Sequence, residues 1–169
     1  MRSRHRQFAA KLLESLANMI KVSRETPRQD DVVALIRQSD ALMQSLYPAE
    51  SNHLVDIESL AAFDVHFFVA RENGRALGCG AFVLGSDDHA EMKRVFVDPA
   101  ARGKGVARAI MEALEREAAQ LGVTLMQLET GIKQPEAIAL YRKLGYAERG
   151  PFGRYQPDPL SLFMEKRLP

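Results

Sequence analysis

The spacing of hydrophobic residues changes repeatedly along this chain, and each change marks an element. Over residues 29–46 the apolar positions Val32, Val33, Leu35, Ile36, Leu42, Met43 and Leu46 recur at helical steps, and Tyr47-Pro48 ends that helix. Ahead of it, residues 20–24 are short and β-compatible, with Thr26-Pro27 as the stop. A polar stretch over residues 49–53 leads to a short helix near 56–62. Residues 65–71, rich in Val and Phe, read as a strand, and Asn73-Gly74 turns it back into a second strand over 76–84. Gly85-Ser-Asp-Asp makes another turn into a third strand, 90–97, closed by Asp98-Pro99. Residues 104–121 carry the strongest helical period, with Val106, Ala107, Ile110, Met111, Leu114 and Leu121 on one face, Arg108, Glu112, Glu115 and Arg116 away from it, and Gly122 past the end. A strand at 124–129 follows, then a helix at 135–144 with Pro135 in its first turn and Gly145 beyond it. The last strands, 146–149 and 161–166, flank a Pro/Gly-rich loop, 150–159. The order is β-α-α-β-β-β-α-β-α-β-β. Hairpins first and a helical crossover afterwards predict an α/β fold with a mixed sheet.

Composition narrows the function. A chain of 169 residues, 46% hydrophobic and 27% charged, is long enough for one domain with a real core. The lone Cys79 excludes an internal disulfide and any multi-cysteine zinc site, and the absence of tryptophan excludes a Trp-lined cage. The longest run without a charged residue is 11 residues, 76–86, too short to cross a bilayer. Net charge is +1, from 23 basic and 22 acidic residues, which gives no general reason to expect nucleic acid. That charge is uneven: Arg2, Arg4, Arg6, Lys11, Lys21 and Arg24 against Glu14 put +5 in residues 1–24, so the remainder sums to −4. Phe8, Leu12, Leu16 and Met19 or Ile20 have helical spacing. This basic amphipathic start reads as a frayed extension, a transit peptide, a membrane-surface helix or a partner-binding arm. Lys11 and Glu14 interrupt any secretory apolar core, so a cytoplasmic location is expected. Residues 1–18 are expected to be an extension and 19–169 a single domain.

One stretch carries candidate chemistry. In Val95-Phe-Val-Asp-Pro-Ala-Ala-Arg-Gly-Lys-Gly-Val-Ala107 a strand ends, a basic glycine-bearing loop follows and a long helix begins at once. Backbone N–H groups at a helix start favour an anion, and Gly103 and Gly105 let a phosphate approach the backbone. Arg102 and Lys104 add positive charge, which suits a pyrophosphate. The Walker pattern is absent, and Arg108 stands where a dinucleotide fingerprint needs its third glycine. No metal-binding Asp accompanies the loop, which argues against a kinase-like site. Taken alone, the stretch reads equally as a helix cap with two turning glycines.

Arg102-x-x-Gly105-x-Ala107 resembles the acyl-coenzyme A signature of the GNAT N-acetyltransferase superfamily. Glu91-Met-Lys-Arg-Val-Phe-Val-Asp-Pro is similar to that family's fourth strand, and Ala137-Ile-Ala-Leu-Tyr141-Arg-Lys-Leu-Gly-Tyr146 to a further segment of it. The element order agrees over about residues 19–168. The resemblance implies a mixed, mostly antiparallel central sheet flanked by helices. It also implies acetyl transfer from acetyl-CoA to a primary amine, with no metal. An alkyl ammonium, with a pKa of about 10.4, must lose a proton before it attacks. Glu91 is the candidate base, acting through water, and Tyr141 matches the family's general-acid tyrosine. A backbone N–H near Val95 would stabilise the oxyanion. Coenzyme contacts are expected from Val95, Phe96, Val97, Arg102, Gly103, Lys104, Gly105, Val106 and Ala107. Gln134, followed by Pro135, stands where many members carry Asn and completes that set.

The loops expected to frame the acceptor are residues 46–53 and 151–158. There Tyr47 and Tyr155 are expected as walls, Glu50 to meet an ammonium and Arg154 a carboxylate, with His53 beside them. An amino acid, another small amine or a peptide N-terminus would fit. Both loops read equally as structured surface. Cys79, mid-strand in an apolar run, reads as buried filler, since an acyl-cysteine route would need it in the cleft beside a base. His53, His66 and His89 show no metal spacing, although His89 lies two residues from Glu91. A non-catalytic acyl-CoA sensor or interaction module is the alternative function. Dimers are common among resembling proteins.

Overall fold

The computed structural model describes residues 19–169, so the basic segment 1–18, with Phe8, Leu12 and Leu16, lies outside the described residues. Strand β1 (Lys21–Arg24) leads into helix α1 (Asp30–Leu46) and a single-turn helix α2 (Ile57–Leu60). Strands β2 (Val65–Glu72), β3 (Arg75–Leu84) and β4 (His89–Val97) form the meander. Helix α3 (Val106–Gln120) crosses to β5 (Leu125–Gly131), and α4 (Pro135–Lys143), β6 (Ala147–Arg149) and β7 (Ser161–Arg167) complete the chain. The order matches the expected one. Short 3-10 turns at Ala49–Ser51 and Pro99–Ala101 are additions. The strands make one sheet in the order β1-β2-β3-β4-β5-β7-β6. Every neighbouring pair is antiparallel except β4 with β5.

Side-chain alternation assigns the two faces of this sheet. On β2, Val65, Phe67 and Val69 join Val32, Leu35 and Ile36 of α1 in one buried cluster. Phe68 and Ala70 turn the other way and join Ile110, Met111 and Leu114 of α3. Both faces are covered, which is why the central strands read as nearly unbroken apolar runs. Ile110 and Leu114 are fully buried, and each contributes about 2 kcal/mol of transfer free energy. Helix α3 comes this close because Gly80 has no side chain: a Cβ there would lie 2.8 Å from Ile110 Cγ2 and 3.1 Å from Leu114 Cδ1. At the far end of β2, Arg71 ties the start of α1 to the sheet. Its guanidinium lies 2.9 Å from Glu25 Oε2 and 2.5 Å from Asp31 Oδ2, and it donates to the Gly74 carbonyl at 2.9 Å.

Strand β4 breaks the alternation once. Lys93 pairs with Ala81 and Phe96 with Cys79, so β4 spends one residue more than β3 over the same span, a β-bulge. Arg94 takes a left-handed conformation there, φ 58°, which costs a non-glycine residue about 1–2 kcal/mol. The faces change phase at this point. Ala90 and Met92 before the bulge, and Val95 and Val97 after it, pack with α3. Phe96 belongs to the α1 cluster, and Arg94 forms an ion pair with Asp40 of α1. Without the extra residue Arg94 would follow Met92 into the α3 core. Strand β5 accompanies β4 only from His89↔Leu125 to Met92↔Leu128, and then the two part.

Gly80→Val should lower stability by about 1–3 kcal/mol, because β3 and α3 have no room for added methyl groups. The urea midpoint should fall with an unchanged slope. An unchanged midpoint would show that α3 is not held at this distance by Gly80.

Candidate active site

The parting of β4 and β5 opens a cleft that is continuous with solvent. Of the residues singled out in the sequence, Tyr47, His53, Glu91, Val95, Phe96, Gln134, Tyr141 and Tyr155 line it. Glu50 and Arg154 are exposed and do not. Glu50 sits in the Ala49–Ser51 turn. Arg154 lies between Phe152 and Tyr155, whose rings pack inward on Phe163, so it is turned out to solvent. Tyr47 is buried, and its hydroxyl accepts the Lys133 N–H at 3.0 Å. Its ring lies against Gly131, where a Cβ would come within 2.0 Å of the hydroxyl oxygen. Tyr47 is therefore a fixed wall with its polar end already committed.

Glu91 lies in a closed polar triangle. The Tyr155 hydroxyl donates to Glu91 Oε1 at 2.5 Å, and Lys93 Nζ donates to the Tyr155 hydroxyl at 2.6 Å. Lys93 Nζ also sits 2.7 Å from the same carboxylate oxygen. Residues 91 and 93 are two apart on a strand and share a face, so the spacing carried a signal for Lys93 that the motif reading passed over. Tyr155 is braced by rings: His53 and Phe152 each stand edge-on with centroids 5.2 Å away. Arg94 also lines the cleft and is likewise absent from the sequence expectations. Its side chain is 6% exposed, and its Nε is buried without a hydrogen-bond partner.

Val97, Arg102, Gly103, Lys104, Gly105, Val106 and Ala107 lie outside the cleft lining, where β4 runs out and α3 begins. Gly103 (φ 79°) and Gly105 (φ 78°) are both left-handed, with open space where a Cβ would stand. Gly105 is the N-cap of α3, and no side chain caps the first turn. Asp98 caps the preceding 3-10 turn instead, accepting the Ala100 N–H at 2.9 Å. Arg102 and Lys104 are exposed, and Lys104 Nζ is 3.5 Å from Glu72 Oε2. Uncapped amides at the start of a 15-residue helix, flanked by two cations, form a site for an anion.

The sequence profile of the acetyltransferase (GNAT) family matches residues 33–146. The chain belongs to that family. This GNAT enzyme is an acyltransferase. It is 51% identical over 150 residues to the IAA acetyltransferase of Azospirillum brasilense, covering 88% of this chain and 98% of the relative. A crystal structure from Klebsiella pneumoniae, assigned as an acyl-CoA N-acyltransferase, superposes with a TM-score of 0.76 at 39% identity. That match covers 89% of this chain and 99% of the other. The PaiA N-acetyltransferase of Thermoplasma acidophilum, solved in complex with coenzyme A, shares the fold at 16% identity (TM-score 0.69; 88% and 99% covered).

In the GNAT enzyme Tyr141 reaches the cleft from α4 and is buried, which pushes its phenol up to about 12. Tyr146 and Tyr155 are also pushed upward, chiefly by burial and then by Glu115 and Glu91 respectively. The Cys79 thiol is buried in the α1 cluster, does not line the cleft and is pushed up to about 12 by burial. An acyl-cysteine route therefore has no support from its placement. His66 is buried and stacked on Phe82, with its pKa lowered by burial. His89 is exposed beside Asp88. Among the described residues no cluster of His, Cys, Asp and Glu could hold a metal ion, and no helix is long and apolar enough to cross a membrane.

The folded chain holds the protons of Tyr141, Tyr146 and Tyr155 more tightly than an unfolded chain, whose tyrosines ionise near pH 10. Stability present below that pH is lost as pH rises through it. With no tryptophan, tyrosinate absorbance is easily read. In the folded protein at about pH 11, at most one of the four tyrosines should have ionised, against all four in denaturant. Ionisation of three or more while circular dichroism shows the fold intact would contradict this.

Proposed function

We propose that this enzyme moves an acetyl group from acetyl-CoA directly to the primary amine of a small molecule, an amino acid or a peptide N-terminus. The observation that carries the reading is that Glu91 from β4 and Tyr141 from α4 line one cleft, at the fork that leads to the uncapped start of α3. The open left-handed glycines and the two cations fit a pyrophosphate. Arg102, Gly103, Lys104, Gly105 and the amides of Val106 and Ala107 are assigned to hold it, with the backbone of Phe96 and Val97 guiding the arm toward the cleft. Gln134 approaches from the β5 side, at the N-cap of α4. Where many relatives have Asn, its longer amide takes the coenzyme contact.

In the cleft, Arg94 and Val95 have no partners in the β3 register, and β5 has already left β4. The Val95 N–H is assigned to the oxygen of the acetyl carbonyl as it gains charge. Such a donor lowers a barrier by roughly 3 kcal/mol. The acceptor nitrogen forms its bond to the carbonyl carbon as the carbon–sulfur bond breaks. Its proton passes, through water, to Glu91. Lys93 and Tyr155 both bind Oε1, which holds that carboxylate in place. Tyr141 gives its proton to the leaving sulfur. A phenol pushed up to about 12 stays protonated until a thiolate appears beside it. Tyr47, His53 and Tyr155 wall the acceptor, and the whole reaction belongs to residues 19–169.

The test is thiol release from acetyl-CoA against a panel of amines, together with IAA, after which the 51%-identical relative is named. Turnover of at least one primary amine is expected. Saturable coenzyme binding without turnover of any would overturn the reading in favour of a sensor. Tyr141→Phe should cut kcat by about 10²-fold or more with little change in KM for acetyl-CoA. An unchanged kcat would remove Tyr141 from the acid role.

A further inference from the structure

We propose that Arg94 is the residue that selects the acceptor, by binding a carboxylate on it, so that the preferred amines are amino acids rather than simple alkyl amines. The inference rests on the acetyl-transfer reading and names the substrate class of that same cleft.

A guanidinium with 6% of its side chain exposed is an expensive group to bury, and such groups are normally surrounded by acceptors. Arg94 is not. Of its five N–H donors, the one contact made is from Nη1 to Asp40 Oδ1 on α1. Nε is buried with no acceptor. The edge formed by Nε and Nη2 is the one that matches the two oxygens of a carboxylate side-on. The other cleft cation, Lys93, is engaged by Glu91 and Tyr155. Arg154, the carboxylate partner expected from the sequence, lies outside the cleft. Among the described lining residues, Arg94 is thus the cation with a buried donor left unpaired.

Its position also suits the chemistry. The bulge turns Lys93 and Arg94 toward the same side of the sheet, although adjacent strand residues normally oppose each other. Arg94 directly precedes Val95, the amide assigned to the developing oxyanion. An acceptor with its carboxylate on Arg94 and its nitrogen toward Glu91 would lie along β4, beside the reacting carbonyl. Asp40 keeps the guanidinium in place when no acceptor is bound. The left-handed strain at residue 94 is what points the side chain there.

Matched acceptors test this on the full chain: L-phenylalanine against phenethylamine, and L-alanine against ethylamine. The carboxylated member of each pair should have the higher kcat/KM, by about tenfold or more. Arg94→Gln should raise KM for the amino acids about tenfold, leave KM for the plain amines within about twofold and leave KM for acetyl-CoA unchanged. If the Gln variant does not fold, Arg94→Lys reads the same ratio, since it keeps the charge and loses the side-on edge. Equal loss on both members of a pair in the Arg94 variants would make Arg94 a structural ion-pair partner and overturn the proposal. Wild-type turnover of plain amines as efficiently as of amino acids would overturn it too, while leaving acetyl transfer standing. Turnover of neither class, nor of any other amine, would overturn both.

Discussion

Strands β4 and β5 pair for four residues and then separate, and the site depends on that separation. Parallel neighbours would otherwise continue their hydrogen-bonded ladder and fill the space. Here the bulge at Arg94 bends β4 away just past its last partner on β5. Three consequences follow from one extra residue. A cleft opens where the ladder stops. Arg94 and Val95 are left without register partners on β3. Two cationic side chains, at 93 and 94, are brought to one face. Strain at Arg94 is sustained because the sheet around it is over-determined. Both faces are covered by packed helices, and Gly80 lets α3 lie directly on β3.

Electrostatics inside the cleft is arranged in two units. Glu91, Lys93 and Tyr155 satisfy one another and hold the carboxylate in a single place. Arg94 and Asp40 form the second unit, in which the guanidinium keeps donors to spare. The first unit suits proton transfer and the second suits recognition. The coenzyme end is of another kind. The loop proposed for it offers backbone amides and two left-handed glycines, with Arg102 and Lys104 on the surface where salt screens them most. The chain's near-zero net charge conceals this division.

Much of the architecture was legible in the sequence because period and punctuation agreed. Asn73-Gly74, Asp98-Pro99, Gly122 and Gly145 stop elements where they were expected, and no strand or helix boundary moved by more than two residues. The glycine-bearing loop was legible for the same reason, since Gly103 and Gly105 occupy the left-handed positions that such a turn requires. The acceptor end was not. A bulge has no composition signature, so nothing in the sequence around Lys93-Arg94 marks two charges on one face. Only the slip in phase, from Met92 to Val95 on the α3 side, betrays it. Arg154 was a reasonable carboxylate partner by loop position, but while Phe152 and Tyr155 pack inward it is exposed and outside the cleft lining. Tyr47 likewise offered a hydroxyl that contacts with Lys133 and Gly131, far away in sequence, had already taken.

A crystal structure of the protein with coenzyme A tests the central claim most directly. The account predicts pyrophosphate oxygens about 2.7–3.2 Å from the amides at the start of α3, and the pantetheine arm entering the fork between β4 and β5. The sulfur should lie beside the Tyr141 hydroxyl. Coenzyme bound elsewhere, or with its sulfur remote from Tyr141, would contradict it.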